Sequence, residues 1–97
     1  MTMYRLKFYI GCMGVSSEQF RNVALLLERE FSGFTLYYAH GAWRGIREAC
    51  NVYEVITDKL YPLPFLQRLG EVLGQTSGQD TVLITTEVIE EVIYAHS

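Results

Sequence analysis

The densest group of chemically capable side chains lies between positions 37 and 47, in the stretch Tyr37-Tyr38-Ala39-His40-Gly41-Ala42-Trp43-Arg44-Gly45-Ile46-Arg47. Aromatic rings stack on nucleobases, and a guanidinium grips phosphate through a planar two-pronged fork. Gly41 and Gly45 carry no Cβ that would hold a ligand away from the backbone. Lys7 and Tyr9, from an earlier segment, would add a cation and a ring if the two segments lie side by side. In this reading Tyr9, Tyr37 and Trp43 stack, Arg44, Arg47 and Lys7 hold phosphate, and His40 adds a polar ring. The set suits capture of one small nucleotide-type anion. A structural reading competes with it: Trp43 closes one end of the core, and Arg44 and Arg47 pair on the surface with Glu48 or Glu54.

Other chemistry is poorly supplied. His40 and His96 are the two imidazoles and Cys12 and Cys50 the two thiols, and their spacing matches no zinc-ligand pattern. No metal and no cofactor are therefore expected. A Cys50–His40 nucleophile pair would lack a third, orienting group, and Cys50 sits in a segment that reads as a buried strand. Glu87, Glu90 and Glu91 read as a solvated acidic face. The chain has no Walker loop, no dinucleotide fingerprint and no nucleophile elbow. The expectation is a protein that is not an enzyme. The enzymatic alternative is a dimeric monooxygenase of the heme or quinol type, with His40 as its one obvious polar group directed into an enclosed apolar pocket.

Composition narrows the partners. The chain has 97 residues, 8 basic and 11 acidic, for a net charge of −3. That suits one domain over residues 1–97, and it argues against nucleic-acid polymers and membrane surfaces, which call for a surplus of Lys and Arg. Apolar residues make up 49% of the chain, enough for a core. One Trp, seven Tyr and five Phe exceed what a small core must hold, which points some of them to a binding or subunit surface. No basic segment followed by an apolar stretch opens the chain, and no apolar run approaches the ~18–20 residues that cross a bilayer. With no CxxC pair, the thiols are expected to be reduced and the protein cytoplasmic.

These side chains need elements to position them. In Tyr4–Ile10, Tyr4, Leu6, Phe8 and Ile10 alternate with Arg5, Lys7 and Tyr9, the period of a strand with one apolar face. Ser16 and Gln19 fit a capping box, and Phe20, Val23, Ala24, Leu27 and Phe31 recur at helical spacing, predicting a helix over 17–31. Phe34–Ala39 reads as a second strand, His40–Ala49 as a loop or long hairpin connection, and Cys50–Thr57 as a third strand antiparallel to the second. A stripe of Phe65, Leu66, Leu69, Val72 and Leu73 behind Pro64 predicts a helix over 63–75, weakened by Gly70. Asp80–Thr86 reads as a fourth strand, and Glu87–His96 as either a helix turn or a short fifth strand.

The order βαββαβ predicts an α+β ferredoxin-like sandwich: an antiparallel sheet, two helices on one face, and a short C-terminal extra element. The other sheet face would carry Arg5, Lys7, Tyr9, Thr35, Tyr37 and Ala39, with Thr81, Leu83 and Thr85 or their neighbours. Such a face favours pairing with another copy, hence a homo-oligomer. RNA-recognition motifs share this element order, but Cys50–Thr57 lacks their basic-Gly-aromatic run.

Three segments carry a resemblance: the first strand ending in Ile10-Gly11, the stretch from Gly33-Phe34-Thr35-Leu36 to Gly41-Ala42-Trp43-Arg44-Gly45, and Gln79-Asp80-Thr81-Val82-Leu83-Ile84. Their order is similar to small uncharacterised α+β proteins of bacteria and their phages. The resemblance implies a phage or prophage setting, with the host cytoplasm as location, and a compact α+β fold; it carries over no catalytic residue. Together these readings favour a non-enzymatic homo-oligomer that sequesters a small anionic, nucleotide-derived ligand of the kind that serves as a host immune signal. The alternative is an inhibitor or adaptor that binds a host protein through its open sheet face.

Overall fold

The computed structural model describes residues 1–97, except for the side chain of Trp43. Its elements run β1 (Met3–Gly11), α1 (Ser17–Glu30), β2 (Thr35–Trp43), β3 (Ile46–Thr57), α2 (Leu63–Ser77) and β4 (Leu83–Ile89). The four strands form one antiparallel sheet in the order β2-β3-β1-β4. This is the ferredoxin-like α+β arrangement expected from the element order.

The helices begin and end where local chemistry dictates. Ser16 Oγ accepts from the Gln19 amide at 3.1 Å, and Gln19 Oε1 accepts from the Ser16 amide at 2.8 Å, the reciprocal capping box. At the other end of α1 the Phe31 amide donates to the Leu27 carbonyl. The start of α2 has Pro62 as N-cap and Pro64 in the first turn, where a missing N–H costs nothing. Gly78 closes α2 in the left-handed region at φ 72°, a conformation that favours glycine.

The core lies between the helices and one sheet face. Leu6, Phe8 and Ile10 of β1 and Tyr53 and Val55 of β3 pack with Val23, Leu27 and Phe31 from α1 and its cap, and with Leu66 and Leu73 of α2. Rings link it: Phe8 to Phe31 at 5.9 Å, Phe31 to Tyr61 at 5.3 Å, and Tyr61 stacked on Phe65 at 5.2 Å. Gly70, which weakened the helix expectation, lies close against β4: a Cβ there would be 2.9 Å from Ile84 Cδ1, the far end of a side chain that can turn aside.

Several boundaries differ from expectation. The segment 40–49 does make the hairpin connection between antiparallel strands, but not as a loop or a long link, since β2 and β3 continue as a ladder from Thr35 opposite Glu54 to Trp43 opposite Ile46. Its tip is Arg44-Gly45, with φ 51° and 80°, the left-handed pair of a tight hairpin turn. β1 reaches only to Gly11 opposite Cys50, with one further bond from the Cys12 amide to Ala49. Beyond it the two strands run on as a ribbon. The radius of gyration, 14.1 Å, exceeds the ~12.5 Å of an average compact chain of this length. Finally, β4 starts at Leu83 rather than Asp80 and takes in Glu87–Ile89, while residues 90–97 form neither the helix turn nor the fifth strand that their sequence allowed.

Candidate functional site on the helix-free sheet face

Strand alternation sends Leu6, Phe8 and Ile10 to the helices and Arg5, Lys7 and Tyr9 to the opposite face. Register then defines rows across that face. One row crosses all four strands: Tyr37 opposite Val52, Val52 opposite Tyr9, Tyr9 opposite Leu83. Val52 is fully buried although no helix covers this face, whereas Tyr37 is 39% and Leu83 57% exposed. Its register neighbours on the two flanking strands are Tyr37 and Tyr9. The row is apolar and aromatic, and its two ends are open to solvent.

The adjoining rows are charged but balanced. Thr35, Glu54, Lys7 and Thr85 form one, and Ile56, Arg5 and Glu87 the next. Arg5 Nη1 donates to Glu87 Oε1 at 2.8 Å, Arg5 Nε lies 3.6 Å from Glu54 Oε1, and Lys7 Nζ lies 4.0 Å from the same oxygen. The hydrogen bond from Arg5 holds the Glu87 carboxyl below its ordinary range, and the same bond raises the Arg5 guanidinium. At 3.6 Å, Arg5 Nε is too far for a hydrogen bond and has no other partner among the described residues. The two cations are offset by two carboxylates, so the face attracts anions weakly.

The residues expected to bind an anion fall into separate places. Tyr9 and Tyr37 share a row but not adjacent strands: β3 runs between them, so their strands are ~10 Å apart. Lys7 lies in the next row, drawn toward Glu54. His40 stands opposite Ala49 and Arg47 opposite Ala42, alternation positions that face the helix side of the sheet, on the ribbon. The Tyr38 and His40 rings meet edge to face at 5.0 Å. Arg44 is at the hairpin tip. Trp43 ends β2, and its side chain lies outside the described residues. Lys7, Tyr9 and Tyr37 therefore do not form one pocket with His40, Arg44 and Arg47. The side-by-side contact of the first and second strands is not formed, because β3 lies between them.

Sequence reasoning missed Val52, Glu54 and Glu87 as parts of this face. Alternation within Cys50–Thr57 carries the signal for the first two, since Tyr53 and Val55 point to the core. Glu87, which by sequence groups with Glu90 and Glu91 of the tail, belongs to β4 opposite Arg5.

Two concavities lie elsewhere. One of about 270 Å³ sits at the start of α1 and is lined by Cys12, Val15, Ser16, Ser17, Phe20 and Asn51. The other, about 620 Å³, opens between α2 and β4 and carries the carboxylates Glu71 and Asp80, a poor setting for an anion. Both thiols are free, and partial burial raises both, with smaller contributions from Cys50 on Cys12 and from Glu48 on Cys50. Raised thiols are weak nucleophiles. Cys50 also lies on the helix-free face, opposite Ala39, whereas His40 takes the other face. Among the described residues no three of His, Cys, Asp and Glu gather where they could hold a metal ion. No helix of the described residues is long and apolar enough to cross a membrane. Neither the family models nor the curated proteins compared with this chain give a match.

Proposed function

We propose that this protein acts by stoichiometric binding of another protein through the helix-free face of its sheet. The observation that carries the reading is the Tyr37–Val52–Tyr9–Leu83 row, which has no helix over it, is open at Tyr37 and Leu83, and is bordered by ion pairs that cancel. Tyrosine supplies large contact area at low entropic cost and keeps a hydroxyl at the rim, the composition of a contact centre. The balanced ion pairs favour a partner whose own contact surface is apolar and near neutral. In the phage setting suggested by the sequence resemblance, that partner is a host factor and the protein an inhibitor or adaptor rather than an enzyme.

A photo-crosslinking residue placed at Tyr9 tests this. Exposure in cells should give one discrete adduct of defined mass, lost when Tyr37→Lys is added. The same probe at Arg29 on α1 should give none. Equal labelling from both positions, or none from Tyr9, would sink the reading.

The second reading, sequestration of a small anionic nucleotide-derived ligand, draws on the ribbon alone. His40 and Arg47 lie on one face of it, the Tyr38 ring stands against His40, and Arg44 forms the tip. Thermal-shift measurements with cyclic and NAD-derived nucleotides test it. A ligand at ~100 times its Kd stabilises by ~2.7 kcal/mol, which is several degrees in a domain of this size. No shift in the wild type with any of them removes this reading and leaves the first.

A further inference from the structure

We propose that β2 is a self-pairing edge, through which two copies of this chain join antiparallel about Ala39, making one continuous sheet from two four-stranded ones. This contact uses the rim of the sheet and is independent of the face assigned above to a protein partner.

β2 is an outer strand, so the backbone groups that alternate with those bonded to β3 point to solvent. Edges of this kind are usually blunted by Lys, Pro, inward charges or short length. The nine residues of β2, Thr-Leu-Tyr-Tyr-Ala-His-Gly-Ala-Trp, include no Lys, Arg, Asp, Glu or Pro. The opposite edge is treated differently: β4 is seven residues long, carries Glu87, and runs on to Glu90 and Glu91. Two copies meeting at β4 would set carboxylates against each other, whereas two copies meeting at β2 bring no formal charge together.

The strand is also complementary to itself. In the register that pairs all nine residues of both copies, Ala39 meets Ala39, Tyr38 meets His40, Tyr37 meets Gly41, Leu36 meets Ala42 and Thr35 meets Trp43. Side-chain parity is kept, so the helix-free faces of both copies stay on one side. Each larger residue of the inner pairs stands across from a smaller one. The ring of Tyr37 covers Gly41, the cross-strand arrangement that compensates a glycine in a sheet. Within one copy Tyr38 already stands edge to face with His40 at 5.0 Å, and pairing would add the same two rings from the other copy.

The size of the contact sets its strength. An edge of this length is ~30 Å long, and with side chains on both faces it buries well under the ~800 Å² per partner of a standard interface. Its affinity comes mainly from the main-chain ladder, as in strand addition generally. The dimer is therefore concentration-dependent rather than permanent.

Sedimentation equilibrium from low micromolar to near-millimolar protein is the first measurement, with Gly41→Lys as the diagnostic variant. A side chain there meets nothing within 4 Å in the single chain, and the position lies outside the left-handed region. Circular dichroism should therefore be unchanged, while the substitution weakens dimerisation ~10-fold or more by filling the place over residue 41 that the Tyr37 ring of the other copy would take and by putting a lysine on the edge. The second measurement uses a Cys12→Ser, Cys50→Ser background. Ala39→Cys should give a disulfide dimer on mild oxidation, since the two positions face each other directly. Leu36→Cys should not, because the register holds its two copies ~20 Å apart. A monomer at every concentration, equal cross-linking from positions 36 and 39, or a dimer broken by Tyr9→Lys but not by Gly41→Lys would each overturn the proposal. The last result would mean that the copies stack face to face.

Discussion

Arg5 and Glu87 stand directly opposite across the β1–β4 ladder and share a 2.8 Å hydrogen bond from Nη1 to Oε1. The bond fastens the last strand to the centre of the sheet. It also uses up a cation that would otherwise have drawn anions to the helix-free face. One short contact thus bears on both the fold's closing strand and the kind of partner the face suits.

Because Arg5 holds Glu87 below its ordinary carboxyl range, the pair contributes stability above that range and loses it as pH falls through the Glu87 pKa. Glu87 is exposed and Arg5 partly so, so the effect is small and sensitive to salt. Glu87→Gln should be slightly less stable than wild type in urea at neutral pH. The two should converge once the pH has fallen through the lowered Glu87 pKa, where the wild-type carboxyl is also uncharged. A gap that persists in acid would mean that the residue acts by packing instead.

At the alkaline end the controlling group is Tyr53, whose phenol is pushed up to about 12 by burial, with a smaller contribution from Cys12. The folded chain keeps this hydroxyl neutral while the unfolded chain ionises it near pH 10. Stability should therefore fall as pH rises from about 10 to 12, by up to ~3 kcal/mol from this group. Tyr53→Phe should lose less stability over the same interval, measured by urea unfolding at pH 9 and 11.5.

The two buried glycines of α2 should respond differently to alanine. At Gly74 the new Cβ would sit 2.9 Å from the Gln79 carbonyl oxygen, a backbone atom that cannot move aside cheaply. Overpacking of ~2–3 kcal/mol should outweigh the ~1 kcal/mol that alanine gains in a helix. At Gly70 the obstacle is the end of the Ile84 side chain, which can rotate, so Gly70→Ala should be near neutral. Thermal unfolding of the two variants side by side tests the contrast.

Val52 and Leu83 belong to the same row, but one is fully buried and the other 57% exposed. Val52→Ala should cost about 1–3 kcal/mol through lost contacts and a cavity. Leu83→Ala should stay within ~0.5 kcal/mol, as exposed positions do. Equal costs would mean that Leu83 is covered in solution, the result expected if a partner or a second copy occupies the face.

Much of this molecule was legible from local pattern. Alternation in Tyr4–Ile10 placed Leu6, Phe8 and Ile10 in the core and Tyr9 outside it. Ser16 and Gln19 marked the start of α1, and the helical stripe around Phe65–Leu73 marked α2. Each of these signals acts within a few residues, through a capping bond or a repeat of fixed period, so no distant segment is needed to read it.

The grouping of the candidate residues was not legible in this way. Positions 37–47 look like one cluster along the chain, yet alternation sends Tyr37 to one face and His40 and Arg47 to the other. Glycines at 41 and 45 suggested a loop, but only Gly45 serves a turn. Gly41 sits inside a strand whose ladder with β3 outweighs its weak local preference. The insertion of β3 between β1 and β2 parts Tyr9 from Tyr37, places Val52 between them, and brings Glu54 to Arg5 and Lys7. Strand order and register are non-local: they join segments tens of residues apart, and they follow from which arrangement buries the apolar faces of β1 and β3 against both helices. That burial decided which side chains share a surface, and so changed a candidate anion pocket into an aromatic row with balanced charges.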